Sequence, residues 1–161
     1  MFEEKFLHGH GFGGFKAIED HWPDGLINCS SIPDQPGTYI VVCGEQFVPH
    51  FVEPGTGGSY RGRDPNVAIA ALQEKWVADS RILYVGRAAN LRRRIRQYLR
   101  FGRGESVSHW GGRFIWQLRN TEELLIGYVV LANGNHVSYE RLLLNEYYNK
   151  HRKLPFANLT K

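Results

Sequence analysis

Eight arginines fall among the twenty-four residues RILYVGRAANLRRRIRQYLRFGRG, from Arg81 to Gly104, and one of them does not read as ordinary solvent-facing charge. Leu91, Ile95, Tyr98 and Leu99 recur at i, i+4, i+7 and i+8, the spacing of one buried helix face. Arg94 lies three residues after Leu91 and four before Tyr98, so it points with that apolar stripe. An unpaired guanidinium is costly to bury. Something anionic must meet it: Glu140, another carboxylate, or a phosphate.

The surrounding charge supports a polyanionic partner. Residues 81 to 119 hold ten arginines against the single Glu105, a net of +9, whereas residues 1 to 31 carry Lys5 and Lys16 against five acids, a net of −3. The whole-chain charge of +4 is unremarkable, but its concentration predicts a patch. At 161 residues, 42% hydrophobic, the chain is long and apolar enough for one domain with additions. Cys29 and Cys43 show no metal or redox spacing and read as small core residues of a cytoplasmic protein. No segment approaches eighteen continuous apolar residues and the N-terminus has no signal-peptide pattern, so neither membrane insertion nor secretion is expected.

Several elements are needed to position these groups. HGHGFGGF and the stretch through Trp22 read as an N-terminal extension, residues 1–31, whose His8 and His10 lack further ligands at metal-site spacing. SIPDQPGTYIVVCG predicts a turn and a strand over Thr38–Val42. DPNVAIAALQEKWVAD predicts a helix from about Pro65 to Ala78, with Asp64 as N-cap. RILYVG predicts a strand ended by Gly86, and Asn90 should cap a helix running to about Phe101. HWGGRFIWQL reads as a glycine turn entering an aromatic strand, in which His109, Arg113 and Trp116 serve either nucleic-acid contact or core packing. LLIGYVVL has strand length, and Ser138 should cap a last helix that places Glu140 in its first turn, where a carboxylate is also favoured by the helix dipole. The implied architecture is α/β (α+β): a small, mainly antiparallel central sheet flanked by helices.

IPDQPGTYIV, LYVGRAANLRRRIRQY and YERLLLNEYYNKHRKLPFANL, in that order through residues 32 to 161, resemble the GIY-YIG nucleases, most closely the amino-terminal incision domain of UvrC-type DNA excision-repair proteins. Gly37, Thr38 and Tyr39 stand at the first tripeptide, with Thr38 in place of an aliphatic residue; Tyr84, Val85 and Gly86 stand at the second. The resemblance implies a metal-dependent endonuclease. Arg94 matches its arginine, Glu140 its ligand for Mg²⁺ (or Mn²⁺), and Asn158 its final asparagine.

Those residue types suit the chemistry. Phosphodiester hydrolysis needs an activated water, neutralised phosphoryl oxygens and help for the leaving alkoxide. Arg94 would grip the scissile phosphate, Glu140 would hold the metal, and Tyr39 and Tyr84 would order or deprotonate the water. The resemblance implies Tyr39 as the better choice of base. Arg87, Arg92, Arg93, Arg96, Arg100 and Arg103 would hold the DNA backbone independently of sequence.

The chief departure is length: forty-four residues separate Tyr39 from Tyr84, an insertion at about 44–81 where the family has a short hairpin. Restriction endonucleases of the same fold also carry long insertions, and such an enzyme would work as a homodimer to break both strands. A non-catalytic DNA-binding module is the third reading.

Overall fold

The computed structural model describes residues 2–160 and has the α+β architecture that the sequence implies. Its centre is an antiparallel sheet in the order β1-β4-β2-β3, from β1 (Gly13–Ala17), β2 (Gly37–Val42), β3 (Ile82–Ala88) and β4 (Leu125–Val130). All six residues of β2 are buried, as expected of a β-branched strand covered on both faces. Helices α1 (Phe2–Gly9) and α4 (His136–His151) contribute Phe6, Leu143, Leu144 and Tyr147 to a cluster with Ile40, Val42 and Val85. The opposite face, bearing Tyr39 and Val41, packs on α3 (Leu91–Gly102) through Leu91, Ile95, Tyr98 and Leu99.

Helix α3 forms where its periodicity places it. The Asn90 side chain caps it by accepting from the Arg93 amide, and the Gln35 and Pro33 carbonyls take the amides of Leu91 and Arg92.

Four sequence expectations differ from the structure. Residues 1–31 are not a separate extension: α1 packs on the core, and β1 is an edge strand whose pairing with β4 is bulged between Gly13 and Lys16. The glycines that read as pure turn make the turn and the bulge that let this strand join. HWGGRFIWQL forms no strand. Arg113–Gln117 is a 3-10 turn in which Phe114, Ile115 and Trp116 are all buried, a run that a strand would divide between two faces.

Helix α2 spans only Ile69–Lys75. Asp64 folds into a side-chain turn with the Asn66 amide, and the Gln117 carboxamide pairs with both backbone groups of Val67, at 2.9 and 2.8 Å, so this stretch stays extended. Helix α4 starts at His136 with Asn135 as its N-cap residue; Ser138 lies inside the first turn and donates to the Asn135 carbonyl. Glu140 is thereby moved beyond the first turn, and the dipole explanation for its presence weakens.

The insertion leaves the end of β2 and returns to β3, its antiparallel neighbour, so the excursion does not disturb the pairing of the two tyrosine strands. It packs as part of the domain: Leu72 is fully buried, and Phe47, Phe51 and Trp76 surround Phe156 and neighbouring core residues.

Candidate active site

Tyr39 and Tyr84 come from adjacent strands and meet with ring centroids 5.9 Å apart. Gly86, opposite Tyr39 in the ladder, leaves room for the Tyr39 ring: a Cβ there would lie 2.4 Å from Cζ. The second tripeptide's glycine therefore has a steric reason independent of any family pattern.

The two tyrosines occupy different depths. Tyr39 is 1% exposed and enclosed by Tyr84, Tyr98 and His109, while Tyr84 is 7% exposed. Burial pushes the Tyr39 hydroxyl far above the usual tyrosine range, and neighbouring Tyr84 adds to this against the pull of Arg94. Tyr84 is pushed up to about 12, chiefly by burial; Arg94, the neighbouring Tyr39 hydroxyl and Arg87 pull it down, whereas Glu140 raises it. Four groups singled out from the sequence thus act on the Tyr84 hydroxyl.

Behind them lies His109, fully buried, with Nε2 2.7 Å from the Tyr39 hydroxyl oxygen. Burial first, then the charge of Arg94, hold its imidazole well below the ordinary histidine range, so it is neutral at physiological pH. The Tyr39 hydroxyl and His109 Nε2 share a hydrogen bond whose donor is set by the imidazole tautomer, and the Tyr39 ring also meets the Tyr84 ring edge-on. The result is a row, His109 to Tyr39 to Tyr84, with the Tyr84 ring outermost. His109 is recognisable in the sequence only as a histidine in the HWGG stretch after the basic helix; the pairing with Tyr39, seventy residues away, is a product of the fold.

Arg94 reaches the same site from α3. Its Nη1 donates to the Ser108 carbonyl and contacts Gln97 Oε1 at 3.4 Å, and among the described residues it forms no ion pair with a carboxylate. Glu140 lies across from Arg87, Oε1 to Nη1 3.6 Å, with a side chain 17% exposed. Burial raises its carboxyl above the ordinary glutamate value while Arg87 and Arg94 oppose this. No group of three histidine, cysteine, aspartate or glutamate side chains among the described residues forms a metal cage. A half-buried single carboxylate fits a cation that takes hard oxygen ligands and keeps most of its waters, as Mg²⁺ does.

Asn158 is placed differently. Its carboxamide pairs with both backbone groups of Val85, accepting from N at 2.9 Å and donating to O at 2.8 Å. With the Ala157 amide on the Leu83 carbonyl, it closes the free edge of β3. Asn158 therefore fixes the strand segment between Tyr84 and Gly86.

Of the expected DNA-contacting arginines all but Arg100 are exposed, and Arg87 stands beside Glu140. Arg92 donates to the Ile32 carbonyl at 2.8 Å, Arg103 to the Gly25 carbonyl at 2.8 Å, and Arg100 pairs with Glu105 at 3.0 Å. Arg92 and Arg103 tie α3 to the loop before β2. Arg96, Arg100 and Arg103 also line an open cleft of about 810 Å³ with Gly25, Leu26 and Ile27.

The buried histidines have a consequence for stability. In the unfolded chain an imidazole takes up a proton below about pH 6.5, and buried His109 does not. The unfolded state then binds more protons, so stability falls with pH below about 6.5, by up to about 1.4 kcal/mol per pH unit from His109. His21, lowered mainly by burial, acts in the same sense. Melting curves should show a lower Tm at pH 5 than at pH 7, with a smaller drop in His109→Gln; equal drops in both proteins would contradict this assignment.

No protein-family model, curated protein or solved structure matches the chain. Among the described residues, no helix is long and apolar enough to cross a membrane.

Proposed function

We propose that the chain is a metal-dependent DNA endonuclease of the GIY-YIG type, hydrolysing phosphodiesters at the Tyr84 end of the site. The observation that carries this reading is that the paired Tyr39 and Tyr84 rings, 5.9 Å apart, and the Arg87–Glu140 pair, 3.6 Å apart, come together from β2, β3 and α4, with the charges of Arg94, Arg87 and Glu140 all acting on Tyr84. A structural network would pair Arg94 with a carboxylate; here Nη1 meets neutral acceptors, the Ser108 carbonyl and Gln97, and its charge is left for a phosphate.

In this reading Tyr84 contacts the attacking water and takes its proton. Tyr84 is preferred to Tyr39 because it is the more exposed of the two, has the lower of two raised pKa values and is nearest the charged groups. The charges of Arg94 and Arg87 favour its phenolate form, and Arg94 also holds the phosphate and balances charge as it builds. Glu140 would hold Mg²⁺ or Mn²⁺, which when bound stabilises charge on the phosphoryl oxygens. Exposed Arg93 and Arg96 contact the flanking backbone. The buried free thiols of Cys29 and Cys43 suit a reducing, cytoplasmic setting. A homodimer would supply the second site that double-strand cleavage needs.

The pH dependence tests the role of Tyr84. Below its pKa the phenolate fraction rises about tenfold per pH unit. Single-turnover cleavage of a labelled duplex should therefore accelerate steeply from pH 7 to 9, and Tyr84→Phe should be slow throughout with a flattened profile. An active Tyr84→Phe variant with the wild-type profile would remove Tyr84 from this role.

A further inference from the structure

The insertion and the loop after α3 build a second cluster of positive charge beside the site. The Arg63 guanidinium carbon lies 4.7 Å from the Trp110 ring centroid, and that of Arg113 lies 4.4 Å from the same ring. Arg61 is 5.2 Å from the neighbouring Tyr60 ring. Among the described residues none of the three arginines forms an ion pair, and the adjacent Asp64 is occupied with Asn66. Burial and then the charge of Arg63 push the Arg113 guanidinium below its ordinary value.

Two guanidiniums 4.7 and 4.4 Å from one indole centroid, with no carboxylate paired to either among the described residues, repel each other, and a bound anion would relieve that repulsion. The ring holds the planar groups by cation–π attraction, and Arg113 Nη1 donates to the Trp110 carbonyl at 3.1 Å, which fixes this guanidinium further while its other N–H groups can meet phosphate oxygens. Position fixes which anion. Trp110 follows His109, which contacts Tyr39; Gly112 packs against Tyr84, and Tyr98 donates to its carbonyl at 3.4 Å. Ser108 receives Arg94. The cluster is thus joined to the tyrosine site through a few residues of one loop.

We propose that Arg63 and Arg113, held by Trp110 and flanked by Arg61, form a second phosphate subsite that grips the nucleic-acid strand next to the bond being cut. Its identity as a flanking subsite rests on the nuclease reading; its binding of the strand does not. Trp110 is a positioning residue, because its ring is already engaged by the arginines. The insertion accordingly supplies substrate-binding groups as well as covering the core.

The test is binding without cleavage. Fluorescence anisotropy with fluorescein-labelled duplex and single-stranded DNA of about 20 nucleotides, in EDTA across a salt series, compares wild type with Arg63→Ala/Arg113→Ala and Arg63→Lys/Arg113→Lys. The alanine pair should weaken binding at least about tenfold and flatten the log Kd against log salt slope by about 1.4 to 1.8, two phosphates at about 0.7 to 0.9 each. The lysine pair should keep most of the slope and, with circular dichroism melts, control for folding. A folded alanine pair with wild-type affinity and slope overturns the subsite, as does a lysine pair that loses as much as the alanine pair, or a wild type that binds neither DNA. Charge-dependent binding by a protein that never cuts would leave the subsite standing and remove only the nuclease reading.

Discussion

Replacing Arg94 with alanine should lower single-turnover DNA cleavage by about 10³-fold, the loss that follows removal of a donor aimed at developing negative charge. Fold stability should hardly change. Arg94 gives up a hydrogen bond to the Ser108 carbonyl and a weak contact with Gln97, and among the described residues it has no ion pair whose loss would strand a carboxylate. Arg94→Lys should recover only part of the rate, because a point charge replaces a planar fork. The pairing of a large rate loss with an unchanged melt separates a phosphate ligand from a structural arginine. Cleavage by Arg94→Ala within tenfold of wild type would exclude Arg94 from phosphate binding.

The second large effect is on stability. Asn158→Ala removes both partners of the Val85 backbone on the otherwise open edge of β3. Each buried group left unmet costs about 1 to 3 kcal/mol, so the variant should lose about 2 to 6 kcal/mol in urea unfolding. Activity should fall as well, because Tyr84 and Gly86 flank Val85 and lose their anchor. Activity lost with stability unchanged would instead mean that Asn158 meets substrate or metal directly. Asn158→Asp keeps the acceptor for the Val85 amide but loses the donor to its carbonyl, and should fall between the two.

Much of the framework was legible because local periodicity and tertiary context agree. The stripe Leu91, Ile95, Tyr98, Leu99 with the Asn90 cap defines α3 to within a residue, and the β-branched runs give β2, β3 and β4. Local signals failed where a distant side chain overrides them. Gln117, fifty residues away, holds Val67 extended and shortens α2; nothing between Asp64 and Ala78 shows this. The aromatic residues 114–116 have strand propensity, yet three neighbouring core contacts require a tight turn.

The site divides in the same way. Tyr39, Tyr84, Arg94 and Glu140 could be singled out by type and order, and the fold gathers them. The depth order of the tyrosines, the His109 imidazole behind them and the strand-clamping role of Asn158 depend on which groups face each other across the sheet. Arg61 and Arg63 read as loop charge in the insertion, and only the folded loop brings Arg63 beside Trp110 and Arg113.

The most direct measurement incubates the purified chain with supercoiled plasmid in Mg²⁺ or Mn²⁺, with EDTA and with Glu140→Gln as parallel controls, and resolves the products on a gel. The proposed chemistry predicts relaxed or linear plasmid only with wild type and metal, with discrete fragments indicating sequence specificity and a smear its absence. Plasmid cut equally well in EDTA or by Glu140→Gln would contradict the metal-bound carboxylate, and plasmid left intact under every condition while still bound would contradict catalysis and leave a DNA-binding module.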